Sequence, residues 1–202
     1  MTIGISDDYF EDVDEEIKSK VEEAIDIFTK LGHKVKKVSL ISPKYAISVY
    51  TIIQRSEVSS NLSRYDGIRY GNDRSFFGEE AKRRIMLGTY TLSRGYYDAF
   101  YKKAQKVRTL LIEDYKRAFK EVNVIIAPTT PIAALKLGEF EKYPFFGEVM
   151  DVLNEPAAIT GVPAISIPVG LTKSTLPIGL QIIGNYFQED EILNLASQFE
   201  KE

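Results

Sequence analysis

A chain of 202 residues, 44% hydrophobic and 27% charged, is long enough to bury a full core as one domain, or as one domain with an appendage. It has no cysteine, which excludes disulfides, thiolate catalysis and Cys-ligated zinc and fits a reducing compartment. A formal charge of −3 argues against a main nucleic-acid surface.

In chain order, TIGIS (2–6) reads as a short strand. The acidic opening MTIGISDDYFEDVDEE has no signal-peptide core, and no run approaches the roughly 20 apolar residues of a membrane span, so neither a leader nor a span is expected. Asp14 is placed to cap a helix in which Ile17, Val21, Ala24, Ile25, Phe28 and Leu31 fall at helical spacing. Gly32 ends it, and HKVKKVSL (33–40) alternates as a strand through Val35, Val38 and Leu40. This β-α-β opening predicts a sheet with helices packed on it.

Pro43 begins a second predicted helix that runs through YAISVYTIIQRSEVSSNLSRY. YDGIRYG breaks it with two glycines, and NDRSFFGEE follows as a polar connector with aromatics. Helical periodicity returns from Gly78 to about Phe119, with breaks expected near Gly88 and Gly95 and one apolar face marked by Tyr97, Phe100, Tyr101, Ala104, Val107 and Leu111. VNVIIAPTTP (122–131) predicts a buried strand, 132–147 a loop, and Val149–Leu153 a short helix. GVPAISIPVGLTKSTLPIGLQIIG (161–184) reads as two strands joined by a polar turn, so apolar that both belong inside a sheet covered on both faces. A last helix carries Ile192, Leu195, Ala196 and Phe199.

Catalytic motifs are scarce. The lone histidine, His33, sits in LGHKVKK just past Gly32 and reads as a solvated turn residue. There is no G-x-S-x-G elbow, P-loop, G-x-G-x-x-G or D-x-D-x-D-G loop. Composition and periodicity therefore give an α/β chain with no visible catalytic machinery.

Three stretches carry more than pattern: RSEVSSNLSRYDGIRYG (55–71), KRRIMLGTYTLSRGYYDAFYKKAQKVR (82–108), and EPAAITGVPAISIPVG with LPIGLQIIG (within 155–184). The third resembles the amidase-signature family at large. The first two resemble one branch of it, the A subunits of glutamine-dependent aminoacyl-tRNA amidotransferases. The resemblance runs along essentially the whole chain, which corresponds to somewhat under half of the family protein. It implies the C-terminal part of the amidase-signature α/β fold, a mixed sheet covered by helices, as a single partial domain over 1–202 with the N-terminal half missing. NDRSFFGEE is shorter than the family leads one to expect after RYG.

Amidase-signature enzymes use a Ser–cis-Ser–Lys triad, and the resemblance implies that it lies upstream of these residues. The only serine pair, Ser59–Ser60, lacks flanking glycines and sits inside a helical pattern, so it reads as structural. What the resemblance carries over is a glutamine pocket. A cation for the α-carboxylate falls on Arg84, an anion for the α-ammonium on Asp151, and a supporting tyrosine on Tyr50. Without the family, Arg83 and Arg84 are a solvated helix face, Asp151 is an N-cap and Tyr50 is core. The basic residues of KKAQKVR likewise read as a solvated face opposite the Tyr97–Leu111 stripe.

The implied function is hydrolysis of glutamine to ammonia, which converts misacylated Glu-tRNA(Gln) or Asp-tRNA(Asn) in the cytoplasm. Implied partners are glutamine and the B and C subunits, with tRNA met only indirectly and no membrane. No cofactor is expected in this chain, since ATP and magnesium belong to the family's B subunit. The chain alone is expected to be inactive, and uncovered sheet edges would favour self-association. Two alternatives remain: a fragment of another amidase-signature hydrolase, or a non-catalytic assembly module.

Overall fold

The computed structural model describes residues 1–139, 142 and 146–201. Two compact units emerge. One combines Met1–Ile47 with Leu111–Glu202, and the other is Ser48–Leu110.

The first unit is built on a five-stranded mixed sheet in the order β2-β1-β3-β5-β4. Strand β1 (Thr2–Ile5) leads into helix α1 (Glu15–Lys30) and back to β2 (Lys34–Lys37), which lies parallel to β1. This is the expected β-α-β unit. Asp14 caps α1 as its sequence suggests, its carboxylate accepting the Glu16 N–H at 2.9 Å. Ile17, Val21, Ala24 and Phe28 are buried along one stripe, and Gly32 takes φ +91° just beyond the Leu31 cap. Asp14→Ala should cost about 1 kcal/mol, read as a lower urea midpoint with an unchanged slope.

Strand β2 is shorter than the alternation in 33–40 suggests, and all four residues are exposed. It is an outer strand carrying Lys34, Lys36 and Lys37, whose charges keep such an edge from pairing with other chains. Strand β3 (Val124–Pro128) is buried throughout, parallel to β1 and antiparallel to β5 (Pro177–Gly184).

The 161–184 hairpin forms as expected, with β4 (Ala164–Leu171) antiparallel to β5. Its expected burial holds for β5 alone. Among the described residues β4 pairs on one side only, and Ala164, Ser166, Pro168, Gly170 and Leu171 are exposed. The reason is alternation: Ile167 turns into the core, while its neighbours turn to the other face. Helix α7 (Glu189–Phe199) buries Ile192, Leu195 and Ala196, and Phe199 meets Phe28 at 5.2 Å between ring centroids. His33 sits in the turn past Gly32, with both ring nitrogens in exposed contacts. It lies within 3.2 Å of the N-terminal amine and 3.0 Å of Gln198 Oε1.

Two short helices precede the hairpin. Helix α5 (Phe146–Asp151) starts earlier than the Val149–Leu153 segment read from sequence. Helix α6 (Glu155–Thr160) has no counterpart among the expected elements; Pro156 near its start and Gly161 at φ +81° behind it are its boundary signals. Residues 140, 141 and 143–145, within the expected 132–147 loop, lie outside the described residues.

The second unit is helical. Helix α2 (Pro43–Leu62) begins at Pro43 as expected and ends at Leu62, three residues before Tyr65. Gly67 and Gly71, both at φ +71°, frame the turn that follows. Helix α3 (Glu79–Leu92) then passes straight through Gly88, where the sequence suggests a break. A Cβ there would stand 1.9 Å from the Arg55 carbonyl oxygen and 2.8 Å from Ser59 Cβ, so glycine lets α2 and α3 touch. Gly95, at φ +92°, is the real break.

The Tyr97–Leu111 stripe is likewise only half an apolar face. A π-helical turn over Asp98–Lys102 precedes α4 (Lys103–Ala118), and its i→i+5 spacing shifts the phase of the side chains. Ala104 and Leu111 are buried, whereas Tyr97 and Phe100 remain exposed and stack in the series Tyr97–Tyr101 and Tyr96–Phe100.

Candidate functional site

Arg84 lies on the second turn of α3, and its spacing from Glu80 is i,i+4. The two meet with Arg84 Nε donating to Glu80 Oε1 at 2.6 Å. Glu80 also takes Arg83 as a fork, accepting from Nε at 2.7 Å on Oε2 and from Nη2 at 3.0 Å on Oε1. The hydrogen bonds from Arg83 and then Arg84 pull the Glu80 carboxyl down to about 2.

From α2, Tyr50 reaches the same guanidinium. Arg84 is held above its ordinary value first by the Glu80 hydrogen bond and, among lesser causes, by a hydrogen bond to the half-buried Tyr50. Two of the three residues proposed from sequence thus converge. Arg84 keeps 38% of its side chain exposed and pairs with Glu80 on its own helix, and Tyr50 is half-buried.

The Glu80 shift has a direction in pH. Its folded value lies below the ordinary 4.5, so the stability it contributes is present above that value and disappears as pH falls toward 2. The side chain is half exposed, which keeps the contribution small. The gap in urea midpoint between the protein and Glu80→Gln should therefore close as pH is lowered from about 5 to about 2.

Asp151 belongs to the first unit, where it is the last, exposed residue of α5. It does not cap α6. Asn154 occupies that position, and the Asp151 carbonyl accepts the Asn154 N–H at 2.9 Å. An apolar groove of about 270 Å³ runs along this helix, lined by Glu148, Val149, Val152 and Leu153 with Pro43 and Pro131. Asp151 is not among its lining residues.

The serine pair lies within α2. Ser59 is buried, its hydroxyl donating to the Ser56 carbonyl at 2.8 Å inside α2, so it has no base within the bonds it makes. Behind the hairpin, Gln181 is buried and donates from Nε2 to the Pro128 and Leu153 carbonyls at 2.9 and 2.8 Å. The Thr129 and Ser166 hydroxyls meet at 2.7 Å, and Gly179 leaves them room: a Cβ there would lie 2.8 and 3.0 Å from the two oxygens. Among the described residues there is no group of three or more His, Asp or Glu side chains that could hold a metal ion, and no helix long and apolar enough to cross a membrane.

Sequence reading misses Glu80. The signal is a carboxylate three and four residues before two adjacent arginines, the spacing at which helical side chains meet.

The family model described as Amidase matches residues 1–193. The glutamyl-tRNA(Gln) amidotransferase A subunit of Halothermothrix orenii is 50% identical over 217 aligned positions, covering all of this chain and 45% of the relative. That alignment is longer than the chain's 202 residues, so the relative carries residues this chain lacks. The corresponding A subunit of Exiguobacterium sp. is 48% identical over 92% of the chain and 41% of the relative. Among solved structures, the Thermotoga maritima glutamyl-tRNA(Gln) amidotransferase A subunit superposes with a TM-score of 0.79 at 36% identity, covering all of this chain and 42% of that one. A bacterial aryl acylamidase of the amidase-signature enzymes superposes with a TM-score of 0.73 at 23% identity, over 99% and 43%, which is a likeness of fold.

The chain thus spans under half the length of the relatives it matches. The mixed sheet, the hairpin motif and the family match over 1–193 agree, and the chain belongs to the amidase family.

Proposed function

We propose that this chain is the C-terminal part of the glutamine-hydrolysing component of a tRNA-dependent amidotransferase. It supplies pocket residues, and a polypeptide outside these residues supplies the Ser–cis-Ser–Lys triad. The observation that carries this reading is the similarity along the whole chain, at 50% identity, to a glutamyl-tRNA(Gln) amidotransferase A subunit. The convergence of Tyr50 and Glu80 on the Arg84 guanidinium supports it.

In this reading Arg84 binds the α-carboxylate of glutamine, because a guanidinium offers a planar pair of donors to a planar pair of oxygens. Tyr50 holds one side of that guanidinium, and Asp151 receives the α-ammonium. Ammonia released at the triad serves the conversion of Glu-tRNA(Gln) or Asp-tRNA(Asn) in the cytoplasm. The B and C subunits are the protein partners, and the B subunit is the user of ATP and magnesium.

Substrate choice tests the reading. With the N-terminal remainder of the Halothermothrix orenii A subunit supplied as a separate polypeptide, ammonia should come from glutamine and not from acetamide or propionamide. Ammonia from the simple amides but not from glutamine would assign the chain to another hydrolase of the family.

A further inference from the structure

The Glu80 carboxylate divides its two arginines unequally. Arg83 takes it as a fork through Nε and Nη2, while Arg84 gives it Nε at 2.6 Å. Nε carries one of the five N–H donors of a guanidinium, so anchoring Arg84 by Nε leaves its four Nη N–H donors for other acceptors. After Glu80, Tyr50 on the neighbouring helix α2 also acts on the same group and raises its pKa. The guanidinium is thus anchored from α3 through Nε.

Such a network is poorly explained by stability. The side chains of Glu80, Arg83 and Arg84 are 52%, 51% and 38% exposed, and exposed ion pairs contribute little to folding. It does restrict rotamers. A long arginine loses much conformational freedom when it binds a ligand, and one fixed in advance loses less.

We propose that Glu80 is a positioning residue for Arg84: it anchors Nε so that the Nη pair stands ready for the carboxylate of an amino-acid ligand. This rests on the reading of Arg84 as the carboxylate receptor. The opposite role, Glu80 as a competitor that occupies Arg84 until a ligand displaces it, predicts the opposite sign. The attachment of Arg84 through Nε argues for positioning, since a competitor would take the fork.

The test uses the ¹⁵N-labelled chain, with the Arg84 Nε–Hε signal assigned through Arg84→Lys and L-glutamine as the probe. Glu80→Ala should speed exchange of the Arg84 Hε proton with water by about 10-fold and weaken glutamine binding by about 5-fold, with the melting temperature lowered only slightly. Glu80→Gln, which keeps an acceptor oxygen, should restore part of both. An unchanged exchange rate in Glu80→Ala would overturn the proposal. So would faster exchange with equal or tighter glutamine binding, which is the behaviour of a competitor. Failure of the underlying reading looks different: glutamine then leaves the Arg84 signal of the unsubstituted chain unmoved, and the positioning role falls with it.

Discussion

Arg84→Ala is expected to raise KM for glutamine by roughly 10- to 100-fold when the chain is completed by the N-terminal part of a relative, because a charge-assisted hydrogen bond is worth about 1.5–3 kcal/mol. Stability should barely change. Arg84 is more than a third exposed and its folded-state partner is a half-exposed carboxylate, so the lost ion pair costs a few tenths of a kcal/mol. A contact made equally in ground and transition states changes KM and leaves kcat, and a split of that kind is the signature of binding by Arg84. Arg84→Lys keeps the charge and loses the planar fork, so it should recover only part of the affinity. A KM unchanged by Arg84→Ala would remove this residue from the pocket.

Gly88→Ala is expected to have the largest effect on the fold of the helical unit. Alanine is ordinarily the better helix former by about 1 kcal/mol, so propensity alone predicts stabilisation. Geometry reverses the sign. The new Cβ would meet the Arg55 carbonyl carbon at 2.6 Å as well as its oxygen at 1.9 Å, and a backbone cannot swing aside as a side-chain tip can. Helices α2 and α3 would have to move apart, at a cost of about 3 kcal/mol. Tyr50 and Arg84 stand on these same two helices, so the substitution should also weaken glutamine binding. A variant as stable as the parent would show that the close approach at Gly88 does not hold the helices together.

Where a residue's role is local, it is legible in the sequence. Asp14 and Gly32 bound α1 because capping and positive φ depend on neighbours within one turn. The hairpin is legible because two apolar runs flank a polar turn. Gly88 misleads for the reverse reason: glycine breaks a helix or admits a neighbour, and only the presence of Arg55 across the contact tells which. The burial of β4 is overestimated because apolar content reports what a strand could face, not whether both of its faces are covered. Helix α6 escapes notice since six residues hold too little of a periodic pattern.

The candidate site follows the same division. Arg84 and Tyr50 lie more than thirty positions apart in the chain, and nothing in spacing links them; the family resemblance points to both, and packing of α2 against α3 joins them. Glu80 needs no resemblance, only the i,i+3 and i,i+4 geometry of one helix. Asp151 reads as a cap from its position before EPAAIT, but the chain makes an extra turn there and Asn154 takes the capping place.

The most direct measurement is ammonia release from glutamine by this chain alone, and then after mixing with the separately made N-terminal remainder of the Halothermothrix orenii A subunit. Silence from the chain alone and glutaminase activity on mixing is the predicted result, since pocket residues without a nucleophile bind and do not hydrolyse. Sustained release by the chain alone would mean that a catalytic group lies within these 202 residues, contradicting the account at its centre.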